Sequence, residues 1–138
     1  MAIDITYIDG GKGVIWKASG TVTGEDLLSA NKEMFSRDLV GEPYDYGLFD
    51  ATGVTDVKVS ADKMRENAIE DVSEAPKMPQ FVYAIYATND VIFGLARMWE
   101  ALVGESGWAT HTFRKRSDAV QWLKTEVQRK FGYQISLE

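Results

Sequence analysis

The chain contains no cysteine, which excludes disulfides, thiolate metal ligands and cysteine nucleophiles together and fits a reducing compartment. Its single histidine, His111, leaves no second imidazole for a metal pair or a proton shuttle. It stands between Thr110 and Thr112 in an alternating segment, as a surface or structural histidine does. No apolar run approaches the roughly 20 residues that span a bilayer. The first residues, Met1-Ala2-Ile3-Asp4-Ile5-Thr6, carry an acid where a secretory signal carries positive charge, so a cytoplasmic protein is expected. Basic residues are in the minority, 15 against 21 acidic, for a net charge of −6. That balance argues against nucleic-acid binding, which needs clustered Lys and Arg on phosphates. The deficit lies in residues 1–75, with 7 basic and 15 acidic side chains, whereas residues 76–138 hold 8 and 6. Arg114-Lys115-Arg116, a basic run, reads as a solvated strand end. No nucleophile elbow, phosphate loop or nucleotide fingerprint is present, and no cofactor or metal is expected.

What the chain does have is apolar material for a core. With 138 residues, 45% hydrophobic and 12% aromatic, it is of a size that buries about two-thirds of its unfolded surface in one domain, residues 1–138. Ile3, Ile5 and Tyr7 alternate, Asp9-Gly10-Gly11-Lys12-Gly13 interrupts, and Val14 and Trp16 resume, the pattern of a β-hairpin. These glycines have neither P-loop nor dinucleotide spacing and join two strands, so they read as a turn. Thr23 with Asp26 resembles a capping box, and Leu27, Ala30 and Met34, with Leu28 and Phe35 alongside, predict a helix to about Arg37. Gly41-Glu42-Pro43 breaks the chain before a short buried strand, Tyr46 to Phe49, that ends at Asp50; a loop from Ala51 to Lys58 follows.

Ser60 is placed to cap a second helix, with Asp62 in its first turn and Ala61, Met64, Ala68 and Val72 as its inward stripe, stopped by Pro76 and Pro79. Phe81 to Ala87 reads as a central strand, and Thr88-Asn89-Asp90 turns into a third helix, Val91 to about Val103. Ala109 to Phe113 is the last strand. Ser117 then caps a helix with Val120, Leu123, Val127 and Phe131 inward and Trp122 beside them. The order ββαβαβαβα predicts an α/β domain with right-handed crossovers onto a largely parallel sheet, the first hairpin adding an antiparallel edge. Leu137-Glu138 is compatible with a native end or a cloning remnant, and no structural role is expected of it.

Four segments carry a family resemblance: Gly20-Thr21-Val22-Thr23-Gly24-Glu25-Asp26-Leu27, Gly47-Leu48-Phe49-Asp50, Phe93-Gly94-Leu95-Ala96-Arg97-Met98-Trp99, and Phe113-Arg114 before Ala119-Val120-Gln121-Trp122-Leu123. In order and spacing they resemble the SpoIIAA-like family. The resemblance implies a STAS-like single domain with a mixed, mostly parallel sheet, an N-terminal β-hairpin and about four helices, in a bacterial protein. It also implies likeness to CRAL-TRIO lipid-carrier domains. In the anti-sigma-factor antagonists that share the STAS core, a serine after the third strand, within Asp-Ser-Ser-Gly, is phosphorylated to break a protein complex. Counted without gaps from Asp50, Lys58-Val59-Ser60-Ala61 stands there, with Val59 at the acceptor position. The phospho-switch is therefore not expected in that register. Ser60, in the neighbouring register, is either an acceptor or only the cap of its helix.

The third helix is apolar almost all round: only Gly94, Arg97 and Glu100 interrupt it between Val91 and Val103. Such a helix is either sandwiched in the core, covered by Gly104 to Trp108 and the last helix, or it presents a surface to something else. Arg97 and Glu100 are spaced as an i,i+3 pair. Phe93, Arg97, Met98, Trp99 and Trp108 are the candidate interface or ligand residues. Three readings follow. The first is a non-catalytic regulatory or protein-interaction module that uses the helix to form a homo-oligomer or engage a protein partner. The second is a module for an apolar, lipid-like small molecule or a membrane surface, with a pocket lined by Met98, Trp99 and Trp108. The third is an enzyme centred on Asp50, at the strand edge where α/β sheets place ligands, with Thr52 or Ser60 nearby; a turn-capping aspartate is the simpler account of that residue.

Overall fold

Glycine sets the first turn. β1 (Ile3–Ile8) folds back antiparallel on β2 (Gly13–Thr23), with Ile8 opposite Gly13. The reversal passes through Asp9 at φ 53° and Gly10 at φ 67°, the left-handed region that glycine enters without steric cost. The computed structural model describes residues 2–37, 44–104 and 106–138. After the hairpin come α1 (Gly24–Arg37), β3 (Tyr46–Lys58), α2 (Ala61–Glu74), β4 (Val82–Tyr86), α3 (Asp90–Leu102), β5 (Ala109–Phe113) and α4 (Arg116–Phe131). This is the expected order, and the break expected at Gly41-Glu42-Pro43 lies outside the described residues.

Caps decide where the helices begin. Thr23 N donates to Asp26 Oδ2 at 2.8 Å and Asp26 N to Thr23 Oγ1 at 3.2 Å, the reciprocal bonds of a capping box. Ser60 Oγ accepts from Lys63 N at 3.1 Å, and Asn89 Oδ1 accepts from Val91 N at 2.9 Å. α4 departs from expectation. Its N-cap is Lys115, whose carbonyl already accepts from Ala119 N at 3.2 Å, so Ser117 lies inside the first turn and is not the cap.

The strand order is β1-β2-β3-β4-β5, antiparallel at β1 and parallel thereafter. Each parallel crossover steps in the same direction across the sheet, so right-handedness carries every connecting helix over the same face. α1, α2 and α3 form a layer there, whereas α4, which follows the last strand, packs on β3, β4 and β5 from the other side. The period-2 pleat divides the strand residues between two cores. Trp16, Phe49, Ala51, Tyr83 and Ile85 face the helix layer; Ile15, Leu48, Val82 and Ala84 face α4.

Two further expectations are corrected. The strand expected to end at Asp50 runs to Lys58, because β2 is equally extended and pairs with it as far as Thr23 opposite Lys58. Val54 and Val57 on this extension join the core, and Gly53 permits close pairing, since a Cβ there would stand 3.0 Å from Ala18 O. Leu137 has a structural role after all. It and Ile135 are each 7% exposed and sit in the core under α4, while Ser136 N donates to Asp9 Oδ2 at 3.1 Å. Burial works against the Asp9 carboxylate, but hydrogen bonds from Tyr46 and Ser136, with Lys12 nearby, hold it below its ordinary pKa. Among the described residues no helix is long and apolar enough to cross a membrane.

Candidate functional site

Small side chains keep the helix layer from closing on the sheet. Ala18 and Ala51 on the strands and Ala30 and Ala96 on the helices meet around a half-open cleft of about 100 Å³. Folded interiors leave few voids larger than a water, and an apolar cavity of roughly 150 Å³ takes up benzene. The walls are apolar: Trp16, Phe49 and Tyr83 from the sheet, and Leu27, Met64 and Leu95 from the helices. Tyr83 is fixed by rings on both sides, Trp16 tilted at 5.3 Å and Trp99 edge-on at 5.3 Å.

One pole of the cleft is polar. Asn67 and Asp71, spaced i,i+4 on α2, point the same way into the layer, and Asn31 reaches them from α1. Asn31 Nδ2 donates to Asn67 Oδ1 and, at 2.9 Å, to Asp71 Oδ1; Trp99 Nε1 donates to Asp71 Oδ2 at 2.6 Å. With its carboxyl ionised, Asp71 accepts at both oxygens, so Asn31 presents its amide nitrogen there and Asn67 meets that nitrogen with its oxygen. This leaves Asn67 Nδ2 pointing away. Asn67 is 4% exposed, and its Nδ2 has no partner among the described residues. Burial pushes the Asp71 carboxyl up to about 7, against the pull of the Trp99 hydrogen bond and with the Glu70 charge adding to the rise. Burial, with Asp71 close by, also raises the Tyr83 phenol well above its ordinary range, so it stays neutral.

The residues expected at a surface or strand-end site are scattered. Trp99 lines the cleft but is 5% exposed, and Trp108, 6% exposed, gives its N–H to Met78 O at 2.9 Å and packs edge-on to Phe81 at 5.1 Å. Neither is a surface anchor, because each indole finds both ring partners and an acceptor in the core. Met98 packs on the same core outside the cleft. Phe93 is half-buried under the Arg114 guanidinium, 3.9 Å from its ring centroid. Arg97 is exposed, its Nε 3.5 Å from Glu100 Oε2 in the expected i,i+3 pair, and His111 Nδ1 lies 3.3 Å from Glu100 Oε1. The last helix does not cover α3, since it lies across the sheet.

Asp50 is inside β3, not at its end, and its Oδ1 accepts from Thr52 N at 2.9 Å and Thr52 Oγ1 at 2.6 Å. Ser60 lies beyond the strand's far end, more than 20 Å along an extended chain that rises ~3.3 Å per residue. The structure therefore brings Asp50 to Thr52 but not to Ser60. Among the described residues no group of three or more Asp, Glu or His is placed to hold a metal. Asn31, Asn67 and Asp71 were not expected. The signal for two of them is their helical spacing with Met64 and Ala68, at i, i+3, i+4 and i+7, the buried face of α2.

No family model and no curated protein matches the chain. Among solved structures it is similar to an uncharacterised protein of the DUF3478 family with a SpoIIAA-like fold from Shewanella loihica PV-4. The two share 19% identity over 88% of this chain and 92% of that one, with a TM-score of 0.56. At that identity the likeness concerns architecture: the chain has a SpoIIAA-like α/β fold, with a mixed five-stranded sheet and four helices.

Proposed function

We propose that the chain is a non-catalytic binding module whose cleft takes up an apolar small molecule. The observation that carries this reading is the Asn67 amide, buried in the wall of an apolar cleft with its N–H unpartnered. A buried donor left unsatisfied costs about 1–3 kcal/mol. An acceptor on a bound molecule removes that cost, while the walls take the molecule's apolar body out of water at about 25 cal/mol per Å². Native mass spectrometry of freshly purified protein, followed by a benzene titration of the fluorescence of Trp16 and Trp99 in the cleft, tests it. A non-covalent mass lost on denaturation, or a saturable fluorescence change, is expected. Bare protein with no response to benzene refutes the reading.

A second reading, self-association or capture of a protein partner through the helix layer, is favoured by exposed apolar residues on its adjacent helices: Ile69 at 71% on α2, with Val91 at 60% and Leu102 at 43% on α3. The same spectrum reports a dimer directly. Under this reading Ile69→Lys and Phe93→Asp abolish the assembly while the monomer stays folded, and an unchanged assembly of the folded variants counts against it.

A further inference from the structure

We infer that the cleft selects an uncharged head group: the molecule it holds ends in a neutral hydrogen-bond acceptor, such as a ketone, ester, amide or alcohol oxygen, and not in a carboxylate. This rests on the cleft being a ligand site, as proposed above.

The argument is one of complementary charge. The unpartnered group at the polar pole is a donor, Asn67 Nδ2, closed off from water in this structure; a ligand atom that displaces its neighbours to reach it must accept. A carboxylate would also accept, but among the described residues lining the cleft there is no Lys, Arg or His to neutralise it. Burying an ion without a countercharge costs far more than burying a dipole. The nearest ionisable group is itself an acid: Asp71 lies four residues from Asn67 on the same face of α2, and one nitrogen, Asn31 Nδ2, bonds to both side chains. A second carboxylate at this pole would face like charge as well as desolvation. An ammonium head group would suit Asp71 but would turn donor to donor against Asn67. A neutral oxygen satisfies the amide and brings no charge.

The test is an NMR titration of isotope-labelled protein at pH 8 with three probes: octan-2-one, octanoate and benzene. Octan-2-one is expected to bind and to shift the Asn67 side-chain amide signals, with octanoate at least tenfold weaker. Asn67→Leu is expected to weaken octan-2-one about tenfold relative to benzene, the change that 1.4 kcal/mol of hydrogen bonding makes. The amide shift in the wild-type protein needs no variant, so a poorly folded Asn67→Leu does not spoil the test. Octanoate binding as tightly as octan-2-one, or octan-2-one binding without moving the Asn67 amide, overturns the head-group inference while the ligand site stands. If neither benzene nor octan-2-one binds, the ligand reading fails and this inference with it.

Discussion

Replacing Asp71 by Asn isolates the cost of holding a carboxyl in the cleft wall. Asp71 is 3% exposed, and burial lifts its pKa from 3.8 to about 7 even though the Trp99 hydrogen bond pulls it down. An acid whose folded pKa is raised holds its proton more tightly in the fold than in the unfolded chain. Stability is therefore greatest below the unfolded value, declines as pH rises from about 4, and the loss is complete above about 7. At about 1.4 kcal/mol per unit the full span is roughly 4 kcal/mol, more than half of which falls between pH 5 and 8. Against a typical total of about 5–15 kcal/mol, this is readily measured. Asp71→Asn is expected to fold, because its carbonyl still accepts from Trp99 and the Asn31 and Asn67 amides can turn over together to meet its new N–H. The assay is urea unfolding of both proteins at pH 5, 6.5 and 8, compared at constant m-value. Wild type should lose about 2–3 kcal/mol relative to Asp71→Asn across that range. Parallel pH profiles would refute the buried, proton-holding carboxyl and with it the polar pole of the cleft.

Trp99→Phe keeps the ring but removes the donor to Asp71 Oδ2, so the carboxyl should titrate still higher; a carboxyl NMR titration with an unmoved midpoint would show the bond to be without weight. Leu137→Ala opens the core under α4 at a residue only 7% exposed and should cost about 2 kcal/mol in urea unfolding, whereas wild-type stability would mean that the tail is not docked. Gly47→Ala puts a Cβ 2.6 Å from Trp16 Cζ3 and 3.0 Å from Phe81 Cζ. Overpacking of about 1–3 kcal/mol should then lower the thermal midpoint, and an unchanged midpoint would contradict the packing at that strand pair.

The fold was legible because period and punctuation agree. The hairpin follows from alternation around Asp9-Gly10-Gly11-Lys12-Gly13, and the crossovers follow from helices and strands taking turns. The error at the end of β3 has one cause, that pairing across the sheet is not local. Nothing within Ala51 to Lys58 announces a strand, with Gly53 and four polar residues in it, until β2 lies beside it. The α2 stripe failed differently. Ala61, Met64, Ala68 and Val72 satisfy a hydrophobic reading, but Ala61 is exposed, Val72 is 38% exposed, and the buried face is Met64, Asn67, Ala68 and Asp71. An apolar pattern cannot register a face whose burial is completed by hydrogen bonds from another helix. Polar residues in that position are legible only as an anomaly, two hydrogen-bonding side chains at the spacing of a core stripe.

The same topology explains why the candidate site lies inside the helix layer and not at the strand ends. Open α/β sheets gather ligands at a switch point, where neighbouring crossovers run to opposite faces and leave a crevice past the carboxyl ends of the strands. Here the strand order never reverses, so α1, α2 and α3 all pass over one face and no such crevice forms. Asp50, attractive as a strand-end acid, loses both parts of its case: it is internal to β3, and the edge it was assigned to has no opening of the usual kind. Space arises instead where alanines on the sheet face alanines on the helices. A cleft made that way takes its polar groups from helix flanks, which places Asn31, Asn67 and Asp71 around a shared hydrogen-bond network and leaves one amide N–H without a partner among the described residues. Its selectivity should then depend on the charge of the ligand's head more than on the length of its tail.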